Sequence, residues 1–230
     1  MRALALALAG VAGTACADPL PLIHCPGHPR CLSLVGQTQV QLPSTQGPWL
    51  MDLPELPETD HPDPLLTLAQ DAPRWWHDHR LIALTRTETT GYSGGGALVD
   101  HMILLHIGPD GLRVVLSLPL GASKTIRACF SEADIADRNQ HCADLYDYDA
   151  ELTPLPDTGT PPSLRYNARA TTFPPGIRLD EDNSALPVPS DAEPATDPTC
   201  TFTRTFHWDV ATASYSPDAP LPDCGAYWGL

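Results

Sequence analysis

The chain has 230 residues, with 28 Asp and Glu against 13 Lys and Arg, for a formal net charge of -15. With a single lysine, Lys124, and scattered arginines, it lacks the clustered cations that hold a nucleic-acid backbone or form a basic membrane-surface helix. Its 26 prolines, roughly twice the average share, exclude many long helices, because proline offers no N–H and clashes with the preceding turn. Proline plus glycine stays below the ~25–30% of low-complexity chains, so a folded domain with long polar loops is expected.

Residues 1–17 read as a secretory leader. Arg2 supplies a short charged start, and Ala3 to Val11 is apolar but shorter than the ~20 residues a spanning helix needs. Ala15-Cys16-Ala17 gives a small-x-small cleavage pattern, which predicts a mature chain starting at Asp18, periplasmic or secreted. Cys16 also offers a lipid-attachment position, although the aliphatic residue usual three places before it is missing. No later stretch is long and apolar enough to form a transmembrane helix. Arginine in excess over lysine, with abundant alanine and proline, fits a GC-rich bacterial coding sequence.

Cleavage after Ala17 leaves six cysteines: Cys25, Cys31, Cys129, Cys142, Cys200 and Cys224. An even number in an exported chain reads as a disulfide set. Pairing of sequence neighbours is the simplest of the alternatives, giving Cys25–Cys31, Cys129–Cys142 and Cys200–Cys224. His24, Cys25, His28 and Cys31 could instead bind zinc or copper, but an oxidising compartment removes both thiolates.

Residues 18–80 form a Pro-rich arm. Leu34 to Leu42 alternates, with Leu34, Thr38, Val40 and Leu42 on one face and Gln37, Gln39 and Gln41 on the other, which predicts a half-buried strand. Residues 43–64 read as a loop. Asp63 as N-cap and Pro64 at the first helical position predict a short helix from Leu65 to about Gln70, and Asp71 and Pro73 before Arg74-Trp75-Trp76 repeat the device. The expectation is one or two short helices near residues 64–77. His77 and His79 beyond the tryptophans could grip a metal, but no third ligand presents itself.

Residues 81–230 read as an antiparallel β domain. Leu81 to Thr90 is a strand by composition. Ala97 to Ile107 and Leu112 to Leu118 flank Gly108-Pro109-Asp110-Gly111, a turn sequence, and pair with Ile107 opposite Leu112, Leu105 opposite Val114 and Ile103 opposite Leu116. A second hairpin joins Cys142 to Leu152 with Leu164 to Phe173 across a loop at 153–163. Tyr146, Tyr148, Ala150 and Leu152 share a face, as do Leu164, Tyr166, Ala168 and Ala170. Setting Leu152 against Leu164 brings Tyr148 to Ala168, Glu151 to Arg165 and Asp147 to Arg169. Residues 174–199 read as a mobile, acidic, Pro-rich loop containing Asp180-Glu181-Asp182. Phe202, Phe206 and Trp208 then alternate with polar residues, and Tyr215 falls on a return strand. The pattern is mainly β, an antiparallel sandwich or barrel-like sheet.

Gly91-Tyr92-Ser93-Gly94-Gly95 resembles the nucleophile elbow of α/β-hydrolases, in which a strand-to-helix turn presents the serine. The resemblance implies a serine hydrolase using Ser93, with a later carboxylate and His207 completing a triad. It covers five residues. No alternating strand–helix series surrounds it, and Gly94-Gly95-Gly96 reads equally as a loop between strands. Asp147, Asp149 and Glu151, or Asp134 and Asp137, could serve calcium or acid–base chemistry, but facing arginines balance the first set. The leading expectation is therefore an exported, disulfide-stapled β domain without catalytic activity, cofactor or metal, which binds a protein or envelope component.

Overall fold

A computed structural model describes residues 32–42, 49–57, 64–69, 80–156, 159 and 161–229. The leader, Cys16, the Cys25–Cys31 pair with His24 and His28, Asp63, and the Asp71–His79 stretch lie outside the described residues.

The protein is mainly β and antiparallel. A small sheet has the order β1-β2-β3, formed by Ser33–Val35, Gln39–Leu42 and Trp49–Asp52. The large sheet contains β4 (Leu65–Leu68), β5 (Leu81–Tyr92), β6 (Gly95–Gly108), β7 (Gly111–Arg127), β8 (Ala143–Pro154), β9 (Leu164–Phe173), β10 (Ala195–Thr196), β11 (Phe202–Asp209) and β12 (Ser214–Pro217). Its order is β12-β11-β9-β8-β7-β6-β5-β4, with β10 also on β9, and the described strands do not close into a barrel. Among the described residues there are two short helices, α1 (Glu132–Asp137) and α2 (Gly225–Trp228).

Burial explains why β5 and β6 carry unbroken apolar runs. Leu81 and Ala83 of β5, with Met102 and Leu104 of β6, enter a core shared with Tyr148, Leu164, Tyr166 and Phe206 of the later strands. Ile82, Leu84, Ile103 and Leu105 enter a second core, covered by Leu32, Val40 and Leu42 of the amino-terminal region. A strand buried on both faces has no polar side to alternate with. The result is sandwich-like, with the β5–β6 region as its middle layer.

Strand β7 runs on past Leu118 and through Pro119. Register shifts lie between Asp100 and His101 and between Leu104 and Leu105 of β6, so Val115 and Leu120 of β7 have no opposite number. Ile107–Leu112 and Leu105–Val114 pair as the sequence predicts, whereas Leu116 meets Leu104 rather than Ile103. The extra residue puts Val115 and Leu116 into the same core. Pro119, which has no N–H for a ladder, sits beside the shift between Asp100 and His101.

The second hairpin keeps its predicted faces but not its register. Leu152 opposes Tyr166, Tyr148 opposes Ala170, Glu151 opposes Asn167 and Asp149 opposes Arg169. This two-residue slip leaves every side chain on its expected face, because the side-chain period is two. The observed register adds two pairs, Thr153–Arg165 and Pro154–Leu164. It also lets buried tyrosines satisfy one another: Tyr166 donates to the Pro119 carbonyl at 2.6 Å, leaving its oxygen to accept from Tyr148 at 2.6 Å.

The amino-terminal expectations change most. The single strand over Leu34 to Leu42 is a hairpin broken at Gly36, whose φ is +61. The loop at 43–64 contains β3, paired with β2. Leu65–Leu68 is a strand rather than a helix, with Leu66 and Leu68 buried and Leu68 opposite Leu84. Pairing to the open edge of β5 outweighs the local Asp-Pro signal, and a proline just before an edge strand costs no ladder bond. The amide of Gln37 then covers β4: its Oε1 accepts from Leu66 N at 2.9 Å and its Nε2 donates to Leu66 O at 3.4 Å. That imitates a further strand and blunts the edge.

Disulfides Cys129–Cys142 and Cys200–Cys224 are formed, each between sequence neighbours. The first closes the segment carrying α1. Ser131 caps that helix by accepting from Asp134 N, and the Asp134 carboxylate accepts from Ser131 N at 2.9 Å, a capping box.

Candidate ligand-binding cleft

An open cleft of about 530 Å³ lies where β8, β9, the loop after β9 and α2 meet; its lining includes Tyr146, Ile177, Leu179, Asp197, Ala226 and Tyr227. Tyr146 and Thr172 of the lining are cross-strand partners on β8 and β9. Asp197 follows β10, which pairs with Thr172 and Thr171. The Asp197 N–H donates to Ala170 O at 2.9 Å, continuing the ladder. Its Oδ1 accepts from the N–H groups of Thr199 at 2.8 Å and Cys200 at 3.3 Å.

The Cys200–Cys224 bond assembles this wall. Cys224 is the N-cap residue of α2, so the disulfide holds the helix beside the segment carrying Asp197. Tyr227 then donates its hydroxyl to Asp197 Oδ2 at 3.0 Å. Its ring meets Tyr146 edge-on at 6.1 Å, while Trp228 meets Tyr148 at 4.9 Å. Lys124 is buried and donates to the Gly229 carbonyl just past the helix, with its pKa lowered by burial.

The electrostatics are acidic and aromatic. Arg178 is exposed and pairs with Asp180 at 3.3 Å and Glu181 at 3.0 Å, which hold the guanidinium charged. Burial, with Asp144 and Asp180 adding to it, pushes the Tyr146 phenol up to about 12. Burial and the Asp197 carboxylate raise Tyr227 as well. Both phenols are therefore neutral donors at neutral pH. Arg178 and Leu179 also line a smaller recess of about 130 Å³ with Arg127, Phe130, Glu181 and Asp182. Phe130 is 68% exposed there, with the Arg127 guanidinium 5.3 Å from its ring centre.

The candidate catalytic residues Ser93 and His207 are placed away from the cleft. Ser93 and Gly94 form the turn of the β5–β6 hairpin, with Tyr92 opposite Gly95. An antiparallel hairpin turn is not the strand-to-helix elbow, and the hydrolase resemblance fails on that geometry. His207, the base proposed for Ser93, instead shares a hydrogen bond of 3.1 Å with Ser163 Oγ. Asp147 and Glu151 face Thr171 and Asn167, and only Asp149 faces an arginine, Arg169. Asp134 serves the capping box, and Asp182 accepts from Ser184 N at 2.9 Å. No group of three His, Cys, Asp or Glu is arranged to hold a metal among the described residues. Sequence reasoning placed Tyr146 in the core and overlooked Asp197 and Tyr227 as site residues. The signal for both was the Cys200–Cys224 pairing itself, which draws its flanking residues together.

A second polar cluster lies beside the amino-terminal core. Arg86 is buried and pairs with buried Glu88 at 2.7 Å, and it donates to the Pro57 carbonyl at 2.5 Å. His101 stands opposite Arg86, its pKa lowered by burial and then by that guanidinium.

Comparison of the chain with protein-family models, with curated proteins and with solved structures finds no match.

Proposed function

We propose that this protein is an exported, non-catalytic binding protein of the cell envelope, working through the cleft beside α2. The observation that carries the reading is the Cys200–Cys224 disulfide: it belongs to an oxidising compartment and holds together two walls of the cleft, Asp197 and Tyr227. The leader-like residues 1–17 and the even cysteine count after Ala17 support the same route. A cleft of this size lies within the ~300–1,000 Å³ of small-ligand sites, with apolar walls and a few convergent polar groups.

The test expresses the full chain with its own leader. Intact mass is then measured, followed by hydrogen exchange with and without envelope extract. The expected mature protein starts at Asp18 and lacks the six thiol hydrogens of three disulfides; attached lipid would instead place its start at Cys16. Extract is expected to slow exchange in residues 172–180 and 225–229. Six alkylatable thiols would overturn the exported, stapled reading, and protection confined to other strands would overturn the role of the cleft.

A further inference from the structure

We propose that the cleft takes an organic cation on a short apolar stem, the chemistry of a lysine or arginine side chain. This rests on the cleft being a binding site.

Arg178 lies against two carboxylates, those of Asp180 and Glu181. Asp197 pairs with no cation among the described residues. Its Oδ1 is occupied by two backbone N–H groups, and its Oδ2 accepts only the Tyr227 hydroxyl. Neutral donors orient a carboxylate without cancelling its charge, and each of its oxygens can accept more than one bond. An incoming ammonium or guanidinium completes Asp197, whereas an incoming carboxylate meets like charge.

The stem follows from the rest of the lining. Ile177, Leu179, Ala226 and the Tyr227 ring offer apolar contact beside Asp197. Leu179 is 44% exposed, leaving a large aliphatic side chain at the rim available to be covered. Methylene stems lie along such surfaces while their charged heads seek polar partners, and a tyrosine face adds attraction for a cation.

Tyr146 supplies an independent sign of a ligand. It lines the cleft, it is 2% exposed, and its hydroxyl has no hydrogen-bond partner among the described residues. The neighbouring Asn183 amide makes its hydrogen bonds elsewhere: its Nδ2 donates to Asp144 Oδ2 and to the Arg178 carbonyl, each at 2.9 Å, and its Oδ1 accepts from Arg178 N. A buried hydroxyl left without a partner calls for an explanation. A carbonyl next to the cationic side chain, as a peptide carries, would accept its proton.

Four probes test this by fluorescence titration: N-acetyl-lysine methylamide, its norleucine analogue without the ammonium, its glutamate analogue, and n-butylamine. The lysine derivative is expected to bind about tenfold or more tightly than the norleucine and glutamate derivatives. Asp197→Asn should remove about that factor for lysine and leave the norleucine derivative unchanged. Asp180→Asn, on the exposed rim, should weaken lysine binding about two- to threefold without endangering the fold. Equal binding of the lysine and norleucine derivatives, tighter binding of glutamate, or no binding by any probe overturns the inference. So does lysine binding that neither variant weakens. n-Butylamine binding as tightly as the lysine derivative supports a free amine as the source; weaker binding, with a loss in Tyr146→Phe, supports a peptide. Exchange protection at the cleft without cation preference would leave the binding-protein reading standing while this inference falls.

Discussion

A methyl group at residue 95 would sit 1.9 Å from the Thr125 carbonyl oxygen and 3.2 Å from the Ile126 Cα. Gly95 also has φ +158, and a Cβ at Gly96 would lie 2.9 Å from Thr90 O. Gly95 of the Gly-x-Ser-x-Gly segment and Gly96 after it are thus explained by the close approach of β5, β6 and β7, whereas a Cβ at Gly91 would meet nothing within 4 Å. Ser93 itself is exposed at the hairpin turn. Gly95→Ala is expected to lower stability by about 3 kcal/mol or more, since backbone rather than a flexible side chain must yield, while Ser93→Ala stays within about 0.5 kcal/mol. Urea unfolding of the two variants checks this, and a tolerated Gly95→Ala would show that the strands can separate at that point.

The elements are joined by one buried latch. Arg138, at the end of α1, is fully buried; it pairs with Asp144 of β8 at 2.5 Å, donates to His141 O at 2.9 Å, and donates to the Asn183 carbonyl. Asn183 returns a bond to Asp144, and Val188 N donates to Asp137 O at 3.1 Å. The acidic loop thus bonds to β8 and α1 at these residues. Asp144→Ala strands a buried guanidinium, which costs about 3–5 kcal/mol. It should also turn Arg178 into a rapid trypsin site. Limited proteolysis reads the difference; equal cutting of wild type and variant at Arg178 would mean that the latch does not restrain the loop. None of this was legible in the sequence, because Arg138 and Asn183 are 45 residues apart and nothing local marks them as partners. What was legible followed parity: the faces of β8 and β9 are read correctly from alternation, while registers two residues apart satisfy the same alternation. The extra residues Val115 and Leu120 escaped for the same reason, since an unbroken apolar run does not show where a bulge lies. In the cleft, Asp197 and Tyr227 become neighbours only through a long-range disulfide and a hydroxyl–carboxylate bond.

At the scale of the whole molecule, the two cores share their central strands. Leu104 and Leu105 are adjacent in β6 and both fully buried, yet Leu104 enters the core that supports the cleft tyrosines and Leu105 the core beneath the small amino-terminal sheet. A strand cannot lose one face and keep the other, because both faces rest on the same ladder of hydrogen bonds to β5 and β7. The described amino-terminal strands therefore pack on the large sheet, with Val40 fully buried in the second core. Leu104→Ala and Leu105→Ala should each destabilise by about 2–5 kcal/mol. Both should do so in one transition seen alike by tryptophan fluorescence and far-UV circular dichroism, as a single cooperative unit requires. If Leu105→Ala instead splits the transition, with Trp49 of the small sheet changing signal before the large sheet melts, the amino-terminal layer is a separate cooperative unit. The shared strand would then fail to transmit the loss. If the transition stays single, the amino-terminal core and the cleft rise and fall together, and damage to the arm would weaken ligand binding far from the bound molecule.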